Sequence, residues 1–162
     1  MKSIPEGVID AILDELGDSE ELANQHMDRF SEKQPVLMAY LCSEDFDVLS
    51  EEEHSYMLFL AMVVWMAVER QNPDQAEIDE DFIGDMDEHN WEIINSRASM
   101  PIADRLESFI GEDSPEELIE FLIDAILEED EDEEEEELIA PEAIEPIFVA
   151  LKTVVDVLTK EQ

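Results

Sequence analysis

The sequence predicts an all-α fold, an irregular bundle of about eight helices around a central apolar helix spanning about 50–72. Three observations predict it. Apolar residues recur at three- and four-residue spacing along almost the whole chain. No stretch shows the alternation of a strand or the turn chemistry of a hairpin. Tyr56–Val68 runs for thirteen residues without a charge, which suits a helix buried on all sides. As a helix that run would extend only about 20 Å, short of the roughly 30 Å of a bilayer's hydrocarbon core. At 162 residues with 44% apolar content, the chain is expected to fold as one domain, 1–162, despite its charge.

The first helix is expected from near Pro5 to Leu16, with Val8, Ile9, Ile12, Leu13 and Leu16 on one face and Gly17 as its left-handed stop. Asp18 opens the second, with Glu21 as a capping-box partner and Leu22, Ala23, His26, Met27 and Phe30 inside. A short apolar helix follows Pro35, and Ser43–Leu49 reads as a loop. Ser50 caps the central helix with Glu53 as its reciprocal partner, and Asn72-Pro73 ends it. The fifth helix continues to about Asn95, with Ile78, Phe82, Met86, His89 and Ile93 at helical spacing. A sixth runs from about Met100 to Ile110 and stops at Gly111. Ser114-Pro115-Glu116-Glu117 is the strongest start signal in the chain, combining a capping serine, a proline at the first helical position and a capping glutamate. In the helix it opens, only Glu117, Glu120, Asp124 and Glu128 form a polar stripe. The eighth helix begins between Pro141 and Pro146 and ends near Thr159, with Ile144, Ile147, Phe148, Leu151, Val154, Val155 and Leu158 facing inward. Residues 8–15 echo residues 122–129, but one pair of acidic amphipathic strings does not make a repeat.

Charge sets the functional expectation. Asp and Glu number 47 against 8 Lys and Arg, for a net charge of −39. Most carboxylates therefore face water, counterions or a cationic partner. Without clustered bases the chain is not expected to bind nucleic acid directly or to dock on anionic membranes. Cys42 is alone, so no internal disulfide forms, and its apolar neighbours suggest a buried side chain. The first residues carry no basic stretch followed by an apolar one, which points to the cytoplasm.

Two segments imitate metal sites. Glu51-Glu52-Glu53-His54 holds one Glu-x-x-His pair, but no second pair accompanies it, and a capping role explains the same acids. Asp79-Glu80-Asp81-Phe82-Ile83-Gly84-Asp85 resembles the front of a calcium loop. Ile83, however, stands where the fifth-position ligand belongs, and Asn90 stands where the bidentate glutamate belongs. No metal or other cofactor is therefore expected. Trp65 with Met57, Met62 and Met66 reads as core. Trp91, flanked by Asn90 and Glu92, falls off the main stripe and suits an edge or an interface.

Two acidic patches remain. One is the unbroken acidic run Glu128–Glu137, in a loop expected over 128–140. The other spans Asp74–Glu92 and has nine acids and no Lys or Arg. Together they predict a non-enzymatic interaction protein that engages a basic protein, through Asp79, Asp81, Asp85, Asp87, Trp91, Glu133, Glu134 and Glu135. The alternatives are an acidic surface suited to a saline environment, a divalent-cation binder, or an enzyme whose carboxylates are hidden by their abundance.

Overall fold

The computed structural model describes residues 4–5, 7–110, 115–127 and 140–160. Among them are eight α-helices, one 3-10 turn and no strand. None of these helices is long and apolar enough to cross a membrane.

Gly7, at φ 87°, caps the start of α1 (Val8–Gly17). It is the only residue among those described with a left-handed backbone. The left-handed stop expected at Gly17 is therefore wrong: Gly17 is still helical. The reason is local. Ser19, extended at φ −157° and ψ 118°, makes the turn into α2 (Glu20–Lys33), so no left-handed residue is needed. Ser19 also replaces Asp18 as the cap, its side chain accepting from the Leu22 N–H at 3.2 Å. This satisfies one of the donors that a helix start leaves open.

Pro35 opens α3 (Pro35–Leu41). Leu37 and Leu41 form its buried stripe, and Cys42, one residue past the helix, is exposed rather than buried. A 3-10 turn, Glu44–Phe46, interrupts the expected loop and buries Phe46. The Ser50 capping box forms as the sequence predicts. Glu53 N–H donates to the Ser50 hydroxyl at 3.1 Å, and Ser50 N–H donates to the Glu53 carboxylate at 2.8 Å. The second Glu53 oxygen accepts from Ala140 N–H at 2.8 Å, so one carboxylate serves the starts of two helices. It opens α4 (Glu51–Gln71), which ends at Asn72.

The later helices are α5 (Glu80–Ser96), α6 (Ile102–Glu107), α7 (Glu116–Leu127) and α8 (Pro141–Thr159). The expected Gly111 stop, the Ser114 cap and the acidic run from Glu128 lie outside the described residues. On α7, Leu118, Ile119, Leu122, Ile123 and Ile126 are buried, while Glu117, Glu120 and Asp124 are exposed.

Two helices share the interior. Residues 60–68 of α4 are buried around the whole circumference, and so are residues 147–159 of α8. α8 packs on α5, α4 and α7, while α4 also receives α1 and α2. Met57, Met62, Trp65 and Met66 are core, as their uncharged surroundings predict. The inner face expected for α8 is too narrow, because Lys152, Thr153 and Asp156 are buried as well. These three polar residues orient the neighbouring helix.

Candidate functional site

The inner stripe of α5 differs by one residue from the apolar pattern. The buried residues are Ile83, Asn90 and Ile94, while Phe82, Met86 and Ile93 are only half-buried and His89 is exposed. A purely apolar reading turns the helix by about 100° from its true setting. Polar partners fix the true one. Asn90, fully buried, donates to Thr153 Oγ1 at 3.2 Å and to Asp156 Oδ2 at 3.0 Å. Asp156 also accepts from Lys152 Nζ at 2.7 and 2.8 Å, and Lys160 Nζ approaches to 3.5 Å. The Lys152 ammonium lies 5.7 Å from the centre of the Phe109 ring. Buried charges are tolerable when paired and hydrogen-bonded in this way. The cluster clamps α5 to α8.

The same rotation turns Asp87 inward. Tyr40, on α3, donates to Asp87 Oδ1 at 2.6 Å. The Tyr40 ring stands edge-on to Phe46, with centroids 5.6 Å apart. Around this pair opens a cleft of about 550 Å³. Pro35, Val36, Ala39 and Tyr40 of α3 form one wall, and Glu80, Ile83, Gly84 and Asp87 of α5 the other, with Ser43 and Asp45 closing the end. A methyl at Gly84 would meet nothing within 4 Å, so the glycine leaves that stretch of wall bare. The Ser43 hydroxyl is buried and has no hydrogen-bond partner among the described residues.

Three carboxylates line the cleft and no base does. Five of the bases among the described residues have acidic partners elsewhere. Arg29 pairs with Glu69, Arg70 with Glu15, Arg105 with Glu145, and Lys152 and Lys160 with Asp156. Burial pushes the Asp87 carboxyl above its ordinary range and the negative charge of Asp45 adds to this, while the Tyr40 hydroxyl pulls the other way. Burial pushes the Tyr40 phenol up strongly, and Asp87 reinforces it.

The predicted site residues are thus dispersed in role. Asp79 precedes α5 at its exposed start; Asp81 and Asp85 are exposed on its surface. Of the four predicted aspartates, Asp87 alone lines the cleft. Trp91 is half-buried and packs on the core. Glu133, Glu134 and Glu135 lie outside the described residues. Sequence reasoning missed Tyr40, Ser43, Asp45 and Glu80, which the packing of α3 on α5 brings into one cleft. Of the imitated metal motifs, Glu53 is engaged in capping. Glu80–Asp85 is helical, a geometry that cannot wrap its carboxylates around one ion as a loop does. His54 hydrogen-bonds the Leu41 carbonyl at 2.9 Å, and His26 lies 3.3 Å from Glu15.

Comparison of the chain with protein-family models, with curated proteins and with solved structures finds no match in any of the three.

The Asp87 environment has a measurable consequence. A folded-state carboxyl raised above its unfolded value, here 3.8, takes up its proton earlier as pH falls. Its contribution to stability therefore grows on acidification and is lost as pH rises through the folded pKa. Glu15 and Glu53 work in the opposite sense. Arg70 beside Glu15 and the Ser50 amide beside Glu53 hold these carboxyls below the ordinary 4.5. Their stabilisation is present above that value and lost as pH falls through their folded pKa. The melting temperature is expected to rise as pH is lowered from neutral, then to fall below about 4.5. Asp87→Asn should reduce the rise. Thermal melts from pH 7 to 3 check this, and an identical profile in the variant would refute it.

Proposed function

We propose that this chain is a non-enzymatic interaction protein that receives a basic protein on its acidic surface, with the α3–α5 cleft as the anchor point. The observation that carries the reading is a cleft with apolar walls, three carboxylates and no base. Lysine and arginine have the matching shape, an apolar stem and a cationic head. The stem would lie along Val36, Ala39 and Ile83, and the head would meet Asp45, Glu80 and Asp87 beside the Tyr40 ring. The buried, unpartnered Ser43 hydroxyl offers a further acceptor. The exposed Asp79, Asp81 and Asp85 on the same helix supply the longer-range attraction that raises encounter rates.

The test is binding of a fluorescent oligolysine peptide. Raising salt from about 20 mM to about 0.5 M shortens the screening length several-fold and is expected to release the peptide. Neutralising the exposed pair Asp45→Asn and Glu80→Gln should weaken binding by about tenfold, the effect of roughly 1.4 kcal/mol. Glu20→Gln with Glu21→Gln, an equal charge change on exposed positions of α2, should weaken it far less. Equal effects from the two pairs would remove the cleft as the anchor. Absence of any salt-sensitive binding would remove the reading altogether.

A further inference from the structure

A second concavity, of about 690 Å³, lies elsewhere in the fold. Its floor is Tyr56, Phe59 and Leu60 of α4, and its walls include Leu13 of α1 with Phe121 and Leu127 of α7. All of these except Leu60 are only half-buried. The Tyr56 hydroxyl donates to the Ala125 carbonyl at 2.9 Å, so the floor offers an aromatic face whose polar end is already occupied. We propose that this groove docks an amphipathic helix from a partner protein, apolar on one face and carrying Lys or Arg along its margins.

The charges around the groove select that occupant. Glu107 and Asp124 belong to its lining, and no base does. Glu117 and Glu120 continue the exposed acidic edge of α7, and Asp14 is exposed beside Leu13 on α1. A second copy of this chain would bring the same acids to the same rim, at a net charge of −39 per molecule. Residues 128–139, which follow Leu127 in the chain, begin with ten consecutive acids and cannot offer an apolar face of useful length. A basic helix has both required properties. The twelve residues of α7 rise about 18 Å, room for about three turns of a docked helix with anchors at i, i+3 or i+4, and i+7.

The proposal stands apart from the α3–α5 cleft, and its test separates the two. The probe is a fluorescent leucine–lysine peptide with leucines on one helical face; the control is the same composition scrambled so that no face forms. Saturable one-to-one binding is expected for the amphipathic peptide, with the scrambled one weaker by about tenfold or more. Phe121→Gln, which removes apolar wall, and Glu107→Lys with Asp124→Lys, which reverse the rim, should each weaken binding by about tenfold. The rim variants touch solvent-facing acids, so they remain informative if Phe121→Gln fails to fold, as judged by circular dichroism. All of these measurements are made in the Asp45→Asn, Glu80→Gln background, so that lysines seated in the α3–α5 cleft do not contribute to the binding that is read. Equal binding of the scrambled peptide, or indifference to the groove variants, would overturn the proposal. So would self-association of the protein that the groove variants abolish, because the occupant would then be a second copy.

Discussion

Asp156→Ala is expected to destabilise the fold by about 3–5 kcal/mol, because it removes the principal counter-charge of a buried ammonium. Lys152 is 3% exposed and Asp156 0%. The Asp156 carboxylate accepts from Lys152 and Asn90 and lies close to Lys160, so it joins α8 to itself and to α5. Alanine leaves Lys152 buried without its two closest acceptors and Asn90 without one of its two. The Phe109 ring at 5.7 Å offers a cation–π contact, worth about 2 kcal/mol when desolvated and near the outer limit of its range here, too little to replace a bidentate carboxylate. For a chain of this length the loss lowers the melting temperature by roughly 6–20 °C. Removing both charges should be far milder. Lys152→Met with Asp156→Leu fills the space with apolar atoms and leaves no buried ion orphaned, since Lys160 is 29% exposed to solvent, and such replacements of buried pairs are often neutral. Urea denaturation of the single and double variants checks both claims. A single variant within about 1 kcal/mol of the parent, or a double variant worse than the single, would contradict the clamp.

The fold was largely legible because its signals are local. The Ser50–Glu53 reciprocal cap, the Asn72-Pro73 stop and the proline starts of α3 and α8 each depend on chemistry within a few residues. The uncharged run of α4 points to a buried helix, and residues 60–68 are buried on all sides, whereas Tyr56, Leu58 and Phe59 at its start are half-buried. Where reading failed, the deciding partner was distant in sequence. The α5 stripe was set one residue off because Asp87 and Asn90 look like solvent-facing letters until Tyr40, Thr153 and Asp156 are placed opposite them. Lys152 and Asp156, four apart on α8, resemble an ordinary surface pair. Their burial follows from α5 covering that side of the helix. Gly17 and Asp18 misled for a smaller reason, since Ser19 could turn the chain without a left-handed glycine. The cleft was legible only through Asp87; Tyr40, Asp45 and Glu80 join it through helix packing that no spacing rule encodes. Abundant acids also dilute any pattern among them, so Asp79, Asp81 and Asp85 were indistinguishable from the aspartate that turns inward.

Trp65→Ala is expected to cost about 3–5 kcal/mol, the range for emptying a large aromatic site in a packed core. Trp65 is 2% exposed in the middle of the fully buried part of α4. Its ring stacks on Phe30 with centroids 5.3 Å apart, which fastens α2 to α4. Arg29 lies 5.4 Å from the ring centre and reaches Glu69 one turn further along α4, at 2.9 Å. Alanine thus opens a cavity and removes the surface on which the guanidinium rests, so the ion pair loses its support. Glu69→Gln alone should cost far less, since a partly exposed pair contributes about 1 kcal/mol or less. Trp65→Phe retains stacking and most of the volume, and about 1–2 kcal/mol is expected for it. Because Trp91 is half-buried at the surface of the core, the emission lost in Trp65→Phe should be the bluer part of the native spectrum. Unfolding curves for the three variants rank the contributions. If alanine at 65 costs no more than glutamine at 69, then ring packing is not what holds α2 against α4, and the interior rests chiefly on α8.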